Sequence, residues 1–186
     1  MKVATQINDY EIVEHRHRYC TWAAGRAAST KTCRFSVSTG KAIIEATGLH
    51  LLLAGPELLP PPERTDAQHK IWRELAIEAA KSKGLVGFGH GVAAKLINVY
   101  LKGAFVCGGQ ELHPHVQALH PPIDKLLLDE LYHQDIGALK AVWRQARKQR
   151  WSKLDTEQYQ AVINGIRDAL QGKPLWHIEF YWRGHQ

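Results

Sequence analysis

The sequence predicts a mainly α-helical protein that folds as one domain. Apolar residues recur at three- and four-residue steps through most of the chain, which is the pattern of a helix with one buried face. Alternating apolar and polar runs, which would predict strands, are lacking. With 186 residues, 45% of them hydrophobic, the chain is long enough for one sizeable core. We therefore expect a single compact helical domain over residues 1–186.

Cap and turn residues delimit the helices of the first half. Residues 11–28 have an Ala-rich helical composition. Thr39 is a candidate cap for a helix over 40–47 that ends at Gly48. The three prolines at 60–62 predict an extended connector after that helix, because proline disfavours a helical residue before it.

The next helices carry a clearer amphipathic pattern. Asp66 can cap a long helix that Gly84 ends, and a further helix is expected from Gly91 to Val106. A loop rich in Gly, His and Pro is expected over 107–122. The remaining helices are expected to begin at turn or cap residues, which are Asp124, Gly137, Asp155 and Pro174.

The chain is basic, which favours an anionic partner. It carries 24 Lys and Arg against 18 Asp and Glu, a net charge of +6, and its pI is about 9.3. One cluster interleaves basic residues with tryptophans, as nucleic-acid-binding surfaces do. A solvated helix face with two core aromatics explains this cluster equally well. Its members are Trp143, Arg144, Arg147, Lys148, Arg150, Trp151 and Lys153.

The cysteines and the apolar runs predict an intracellular protein. Cys20, Cys33 and Cys107 are odd in number and widely spaced, which fits reduced thiols better than a disulfide framework, a zinc site or an iron–sulfur site. The apolar runs are shorter than the ~18 residues of a membrane span, and the start of the chain does not have the pattern of a signal peptide. We expect no membrane association and, in a bacterium, a cytoplasmic location.

Two charged residues near helix starts are the strongest candidates for chemistry. Lys95 lies in the first turns of its helix, on one face with Asn98 and Lys102, where the helix dipole favours the neutral amine that a nucleophile must be. Asp124 is placed to cap the next long helix, and a capping carboxylate stays ionised and fixed in position. Each residue also has an ordinary interpretation: a solvated lysine, and a purely structural cap.

These residues lie in a pattern that resembles the helix-hairpin-helix superfamily of DNA glycosylases, in particular the bifunctional 8-oxoguanine enzymes and their archaeal relatives. That family has Pro-Gly-Val-Gly-x-Lys, an apolar helix, and then Pro-Val-Asp at the start of the next helix. The present chain has His90-Gly91-Val92-Ala93-Ala94-Lys95 and later Pro122-Ile123-Asp124. The resemblance covers about residues 84–130.

The chain departs from the family pattern at three points. His90 replaces the proline and Ala93 the second glycine, which alters the turn that presents backbone N–H groups to a phosphate. The 29 residues from Lys95 to Asp124 resemble the spacing of the archaeal branch. The four-cysteine iron–sulfur loop of some relatives is absent.

The resemblance implies a function and a set of residues. Lys95 would be the nucleophile and Asp124 the essential carboxylate of a DNA glycosylase with β-lyase activity. It would act as a monomer on double-stranded DNA, with no metal or organic cofactor, and would excise an oxidised or otherwise modified base. An 8-oxoguanine-like purine is the first expectation, and modified phage or other foreign DNA, as in bacterial defence, is equally open. The residues expected to contact DNA are Gly89, His90, Gly91, Val92, Ala93 and His120.

A flipped base also needs an aromatic pocket. Trp22 and Arg26 lie with Tyr19 on one face of the first long helix, and Trp176 lies in the aromatic C-terminal segment. We take Trp22, Arg26 and Trp176 as base-pocket candidates, with core packing as the alternative for each of them.

Two other functions fit the sequence. The helical scaffold could bind nucleic acid without catalysis. Alternatively, histidines could form the metal site of a hydrolase, although no Cys partner or HExxH helix accompanies them. The histidines in question are His15, His17, His113, His115 and His120.

Overall fold

The structure is a computed structural model that describes residues 10–184, so both ends of the expected 1–186 domain lie outside the described residues. Over residues 10–184 the chain forms helices and loops without any β-strand, which confirms the mainly helical fold. The α-helices are α1 (Ile12–Ala28), α2 (Val37–Ala46), α3 (Thr65–Ser82), α4 (His90–Leu101), α5 (Pro114–Gln117), α6 (Lys125–His133), α7 (Lys140–Arg147) and α8 (Thr156–Leu170).

Short helical turns fill most of the connections. The predicted connector at 60–62 is extended only at its start, because Pro62–Arg64 already forms a 3₁₀ turn. A π-helical stretch, Lys102–Gln110, continues α4 where a loop was predicted from 107 onwards. The other 3₁₀ turns are Leu49–Ala54, Pro56–Leu58, Ile136–Ala138, Trp151–Lys153 and Leu175–Tyr181.

Helix α4 lies between two hydrophobic clusters. Val92, Ala93 and Leu96 belong to a cluster built with α1, α2 and α3. Ala94 faces a second cluster formed by α6, α7, α8 and the C-terminal turn. The position of α4 at the centre of the molecule explains why ten of its twelve residues are buried.

The caps show where sequence reasoning held and where it failed. Asp124 and Asp155 cap α6 and α8 as predicted. The predicted cap at Thr39 is wrong: Ser36 caps α2, and its hydroxyl accepts the N–H of Thr39 at 3.1 Å. Asp66 lies in the first turn of α3 and does not cap it, because its carboxylate is engaged by side chains of other segments.

Helical residues His90–Gln110 are long and apolar enough to cross a membrane by length and composition alone. However, 67% of the most apolar window of this stretch is buried inside the molecule, as in the core helix of a folded domain.

Candidate active site

The structure brings Lys95 and Asp124 into direct contact. Lys95 Nζ lies 3.0 Å from Asp124 Oδ2, and the two side chains are only 8% and 18% exposed. A buried ion pair of this kind costs desolvation energy that its own attraction only roughly repays, so it is weak evidence of a stabilising role. The pair therefore stands as a candidate for chemistry.

Three donors hold the carboxylate of Asp124. Its Oδ1 accepts the backbone N–H of Leu127 at 2.9 Å, as a helix cap does. Its Oδ2 accepts from Lys95 and also from the indole N–H of Trp182, which lies at 3.0 Å. These three hydrogen bonds fix the position of the carboxylate.

Asn98 ties the helix of Lys95 to the segment that leads to Asp124. It lies on α4 one turn after Lys95 and is 1% exposed. Its amide N–H group donates to the carbonyl of Pro121 at 2.8 Å and to the hydroxyl of Tyr159 at 3.0 Å. Its carbonyl accepts from Nε2 of His69 at 2.7 Å. The Asn98 side chain thus sets the position of α4 relative to the non-helical segment around Pro121 that precedes α6.

Aromatic rings and a second ion pair surround the candidate pair. Lys95 Nζ lies 5.7 Å from the centroid of Trp151, within cation–π distance. Lys102 is the first residue of the π-helical stretch that continues α4; its Nζ lies 5.8 Å from the centroid of the Trp182 ring and is paired with Glu179. Burial raises the pKa of Glu179, against the opposing effect of Lys102. With Lys95 and Asp124 included, the site therefore combines two cations, two carboxyls and two indole rings.

A basic cavity of about 740 Å³ lies next to the pair. Lys125, which follows Asp124 in the chain, and Trp151, which lies over Lys95, are both in its lining. Lys95 and Asp124 themselves do not line it, but each adjoins a residue that does: Trp151 by ring contact and Lys125 by chain sequence. We call this space the basic groove.

Most of the segment 89–93, which was expected to contact DNA, is deeply buried. Val92 and Ala93, both predicted to contact DNA, are 0% exposed because α4 is inserted between two cores, so this structure does not present them to DNA. Gly91 is also buried, and a Cβ there would lie 2.0 Å from the carbonyl oxygen of Trp151. Only Gly89 and His90, at the start of the helix, keep partial exposure and stay candidates for contact with DNA.

The three base-pocket candidates are not brought together. Trp22 is 52% exposed and pairs with Tyr19 at 6.0 Å between ring centroids. Arg26 lines a separate depression of about 660 Å³. Trp176 is half-buried against His177, with its indole N–H buried and without an acceptor. Between positions 10 and 184, no hydrogen bond, ion pair or ring contact joins these three residues to Lys95 or Asp124.

His120, which was predicted to contact DNA, is buried and bonded within the protein. Its side chain is 0% exposed, and its Nε2 donates to Asp66 Oδ1 at 2.8 Å while Nδ1 faces the hydroxyl of Tyr159 at 3.0 Å. Asp66 is also paired with Arg167. Burial opposes ionisation of Asp66, but hydrogen bonds from His120 and Arg167 outweigh it and lower the pKa of the carboxyl. His120 thus joins α3, α8 and the segment before α6.

The buried histidines make stability depend on pH. Burial lowers the pKa of His120 below 6.5 and that of His69 well below 6.5. Both groups are therefore neutral in the folded protein at a pH where the unfolded chain binds protons. Their contribution is fully present above pH ~6.5 and is lost as the pH falls towards the folded-state values, by up to about 1.4 kcal/mol per histidine and pH unit. We expect urea denaturation to show a falling free energy of unfolding below pH ~6.5.

A matched pair of variants tests that expectation. His69→Gln should flatten the pH dependence, because one of the two buried titrating groups is gone. His133→Gln removes an exposed histidine and should leave the slope unchanged. Equal slopes in the two variants would show that burial of His69 is not the cause.

The other histidines considered as metal ligands lie in separate places, each with its own contacts. His113 and His115 contact each other, with ring centroids 4.9 Å apart, and His17 is bonded to Tyr100 and Glu45. Across the described part of the chain, no three His, Cys, Asp or Glu side chains are grouped as a metal site would need.

Sequence reasoning missed several residues of the site. Trp182 was not singled out, Trp151 was placed only in the basic cluster, and Asn98 was seen only as a neighbour of Lys95 on the helix. The position of Asn98 three residues after Lys95 on an otherwise apolar helix was the available signal. No local signal identifies Trp182, which is 58 residues from Asp124.

Comparison of the chain with models of protein families, with curated proteins and with solved structures gives no match.

Proposed function

We propose that the protein is a DNA glycosylase with β-lyase activity, in which Lys95 is the nucleophile and Asp124 the stabilising carboxylate. The observation that carries the proposal is the 3.0 Å contact between these two side chains beside a basic groove. Displacement of a base at a sugar carbon requires a nucleophile, which the amine would supply, and a negative charge that stabilises the developing cation, which the carboxylate would supply. The motif resemblance around residues 84–130 supports the same function.

The first step would replace the base by the lysine. The target nucleotide leaves the duplex stack, because its glycosidic bond cannot be reached within it. Lys95 loses a proton, and its Nζ lone pair then forms a bond to the sugar C1′ as the bond from C1′ to the base nitrogen breaks. The departing base takes the bonding electrons and a proton. Ionised Asp124 offsets the positive charge that develops on the sugar.

The second step would cut the strand. Opening of the sugar ring gives a protonated Schiff base between C1′ and Nζ. Loss of a proton from C2′ then pushes electrons towards C3′, and the bond from C3′ to the phosphate oxygen breaks. The phosphate leaves with the electron pair, which is β-elimination. Hydrolysis of the remaining Schiff base by water releases the free lysine.

The present contact has a consequence for catalysis. In this contact Lys95 Nζ donates a hydrogen bond to Asp124, whereas attack requires the lone pair of the neutral amine. Substrate binding must therefore break the contact of Nζ with Asp124 and remove a proton from Nζ. The half-buried side chain of Trp151 must also move to make room for a nucleotide. The nature of the base is proposed from the resemblance only: an oxidised purine such as 8-oxoguanine first, with modified foreign DNA as the second possibility.

A second candidate function is binding of nucleic acid without catalysis. The observation in its favour is that Lys95 is 7% exposed and already paired, as a structural lysine would be. The two candidates predict different behaviour towards the same DNA.

Borohydride trapping distinguishes them. The purified protein is incubated in EDTA with labelled duplexes that each contain one modified base or an abasic site, and borohydride is added. Reduction of the Schiff base to a secondary amine should give a covalent protein–DNA species. Binding of every duplex without any adduct would support the non-catalytic candidate and contradict the glycosylase.

A further inference from the structure

The basic groove contains more positive charge than the fold uses. Its lining includes six cationic side chains and a single acidic one, Asp129. Asp129 is paired with Arg147, at 2.6 Å, and with Lys125, at 3.2 Å. The other four cations are exposed and have no ion-pair partner among the residues that the structure describes. They are Lys31, Arg144, Lys148 and Arg150.

Two separate segments bring these cations to one place. Lys31 comes from the turn after α1, and Arg144, Lys148 and Arg150 come from α7 and the residues that directly follow it. Concentrating unpaired cations from distant segments around one concave surface focuses the electrostatic field on an anion there. A cavity of about 740 Å³ also falls within the size range of ligand sites, which is roughly 300–1,000 Å³.

The groove is also next to the candidate active site. Trp151 forms part of its lining, and the centroid of the same ring lies 5.7 Å from Lys95 Nζ. Lys125, which also lines the groove, directly follows Asp124 in the chain. A chain of phosphates lying in the groove would therefore pass within one side chain of the lysine.

We propose that the basic groove binds the phosphodiester backbone of the DNA strand that carries the target nucleotide, with Trp151 as the side chain between the groove and Lys95. Cationic side chains combined with an aromatic ring are the combination that binds a single polynucleotide strand. The main phosphate contacts are then made by α7 and the turn after α1, and not by the segment 89–93 from which they were expected. The assignment rests on the proposed function in one respect: that the bound strand leads its target nucleotide towards Lys95.

Salt-dependent binding tests the groove. Anisotropy of a fluorescent DNA duplex with one abasic site is measured over a series of salt concentrations, for the wild type and for Arg144→Gln/Lys148→Gln. The double variant should bind about tenfold more weakly at the same salt, because two phosphate contacts are lost. The slope of log affinity against log salt should also decrease by about 2.

A control with the same change of charge separates the groove from net charge. Arg64→Gln/Lys83→Gln also replaces one exposed Arg and one exposed Lys, and neither residue lines the groove. The slope of log affinity against log salt for this control should differ from the wild-type slope by less than about 0.5. Equal losses in both double variants, or wild-type binding by the groove variant, would overturn the proposal.

The outcome is independent of catalysis. If the groove variant loses affinity while the wild type forms no borohydride adduct, the groove binds DNA and the glycosylase proposal fails. If the wild type forms the adduct and the groove variant binds and reacts normally, the glycosylase proposal survives and the groove assignment fails.

Discussion

Replacement of Lys95 by glutamine is expected to abolish covalent trapping with DNA, to below the detection limit. An amide nitrogen has no available lone pair for attack at C1′ and cannot form a Schiff base. Glutamine still offers an N–H donor towards Asp124, whose carboxylate also keeps its bonds from Leu127 and Trp182. We therefore expect a folded variant, to be checked by its helical circular dichroism spectrum.

Two further variants separate nucleophile from charge. Lys95→Arg keeps the positive charge beside Asp124 but remains protonated, so it should fold, bind DNA and give no adduct. Asp124→Asn keeps a good helix cap while it removes the negative charge. Single-turnover base release by that variant should fall about a hundredfold. Adduct formation by Lys95→Arg at the wild-type rate would contradict the assignment of Lys95.

The second large effect is expected at Gly91. Alanine there would place its Cβ 2.0 Å from the carbonyl oxygen of Trp151, which is backbone and cannot rotate away. The turn Trp151–Lys153 would have to move off the start of α4, and Trp151 with it. Overpacking of this kind costs about 3 kcal/mol, and Tm should fall by roughly 10 °C in a thermal melt.

Gly89→Ala is the matched control, because Gly89 lies two residues before Gly91, at the N-cap of α4. No atom lies within 4 Å of a Cβ at this position, and its φ of −108° suits alanine. We expect a cost below about 1 kcal/mol. If Gly91→Ala were as stable as Gly89→Ala, the close packing of Trp151 on α4 would be incorrect.

The parts of this structure that could be predicted from sequence are those set by local chemistry. Asp124 and Asp155 each precede an amphipathic helix, and both act as caps because a carboxylate satisfies free N–H groups wherever the rest of the chain lies. The same locality placed Lys95 early in its helix. The contact between Lys95 and Asp124 was expected only through the motif resemblance.

The parts that failed depend on how the helices pack. Val92, Ala93 and His120 were expected to contact DNA, but they are covered because α4 lies between two cores and His120 is paired with Asp66. Neighbouring residues carry no record of such long-range contacts. The role of Trp182 beside Asp124 could not be predicted for the same reason.

The site of covalent attachment tests the central claim most directly. The wild-type protein is reduced with borohydride on DNA that contains an abasic site, the adduct is digested, and the modified peptide is sequenced by mass spectrometry. We predict that the deoxyribose remnant is attached to Lys95. Attachment to another lysine, such as the exposed Lys148, or no attachment on any modified duplex, would contradict the account.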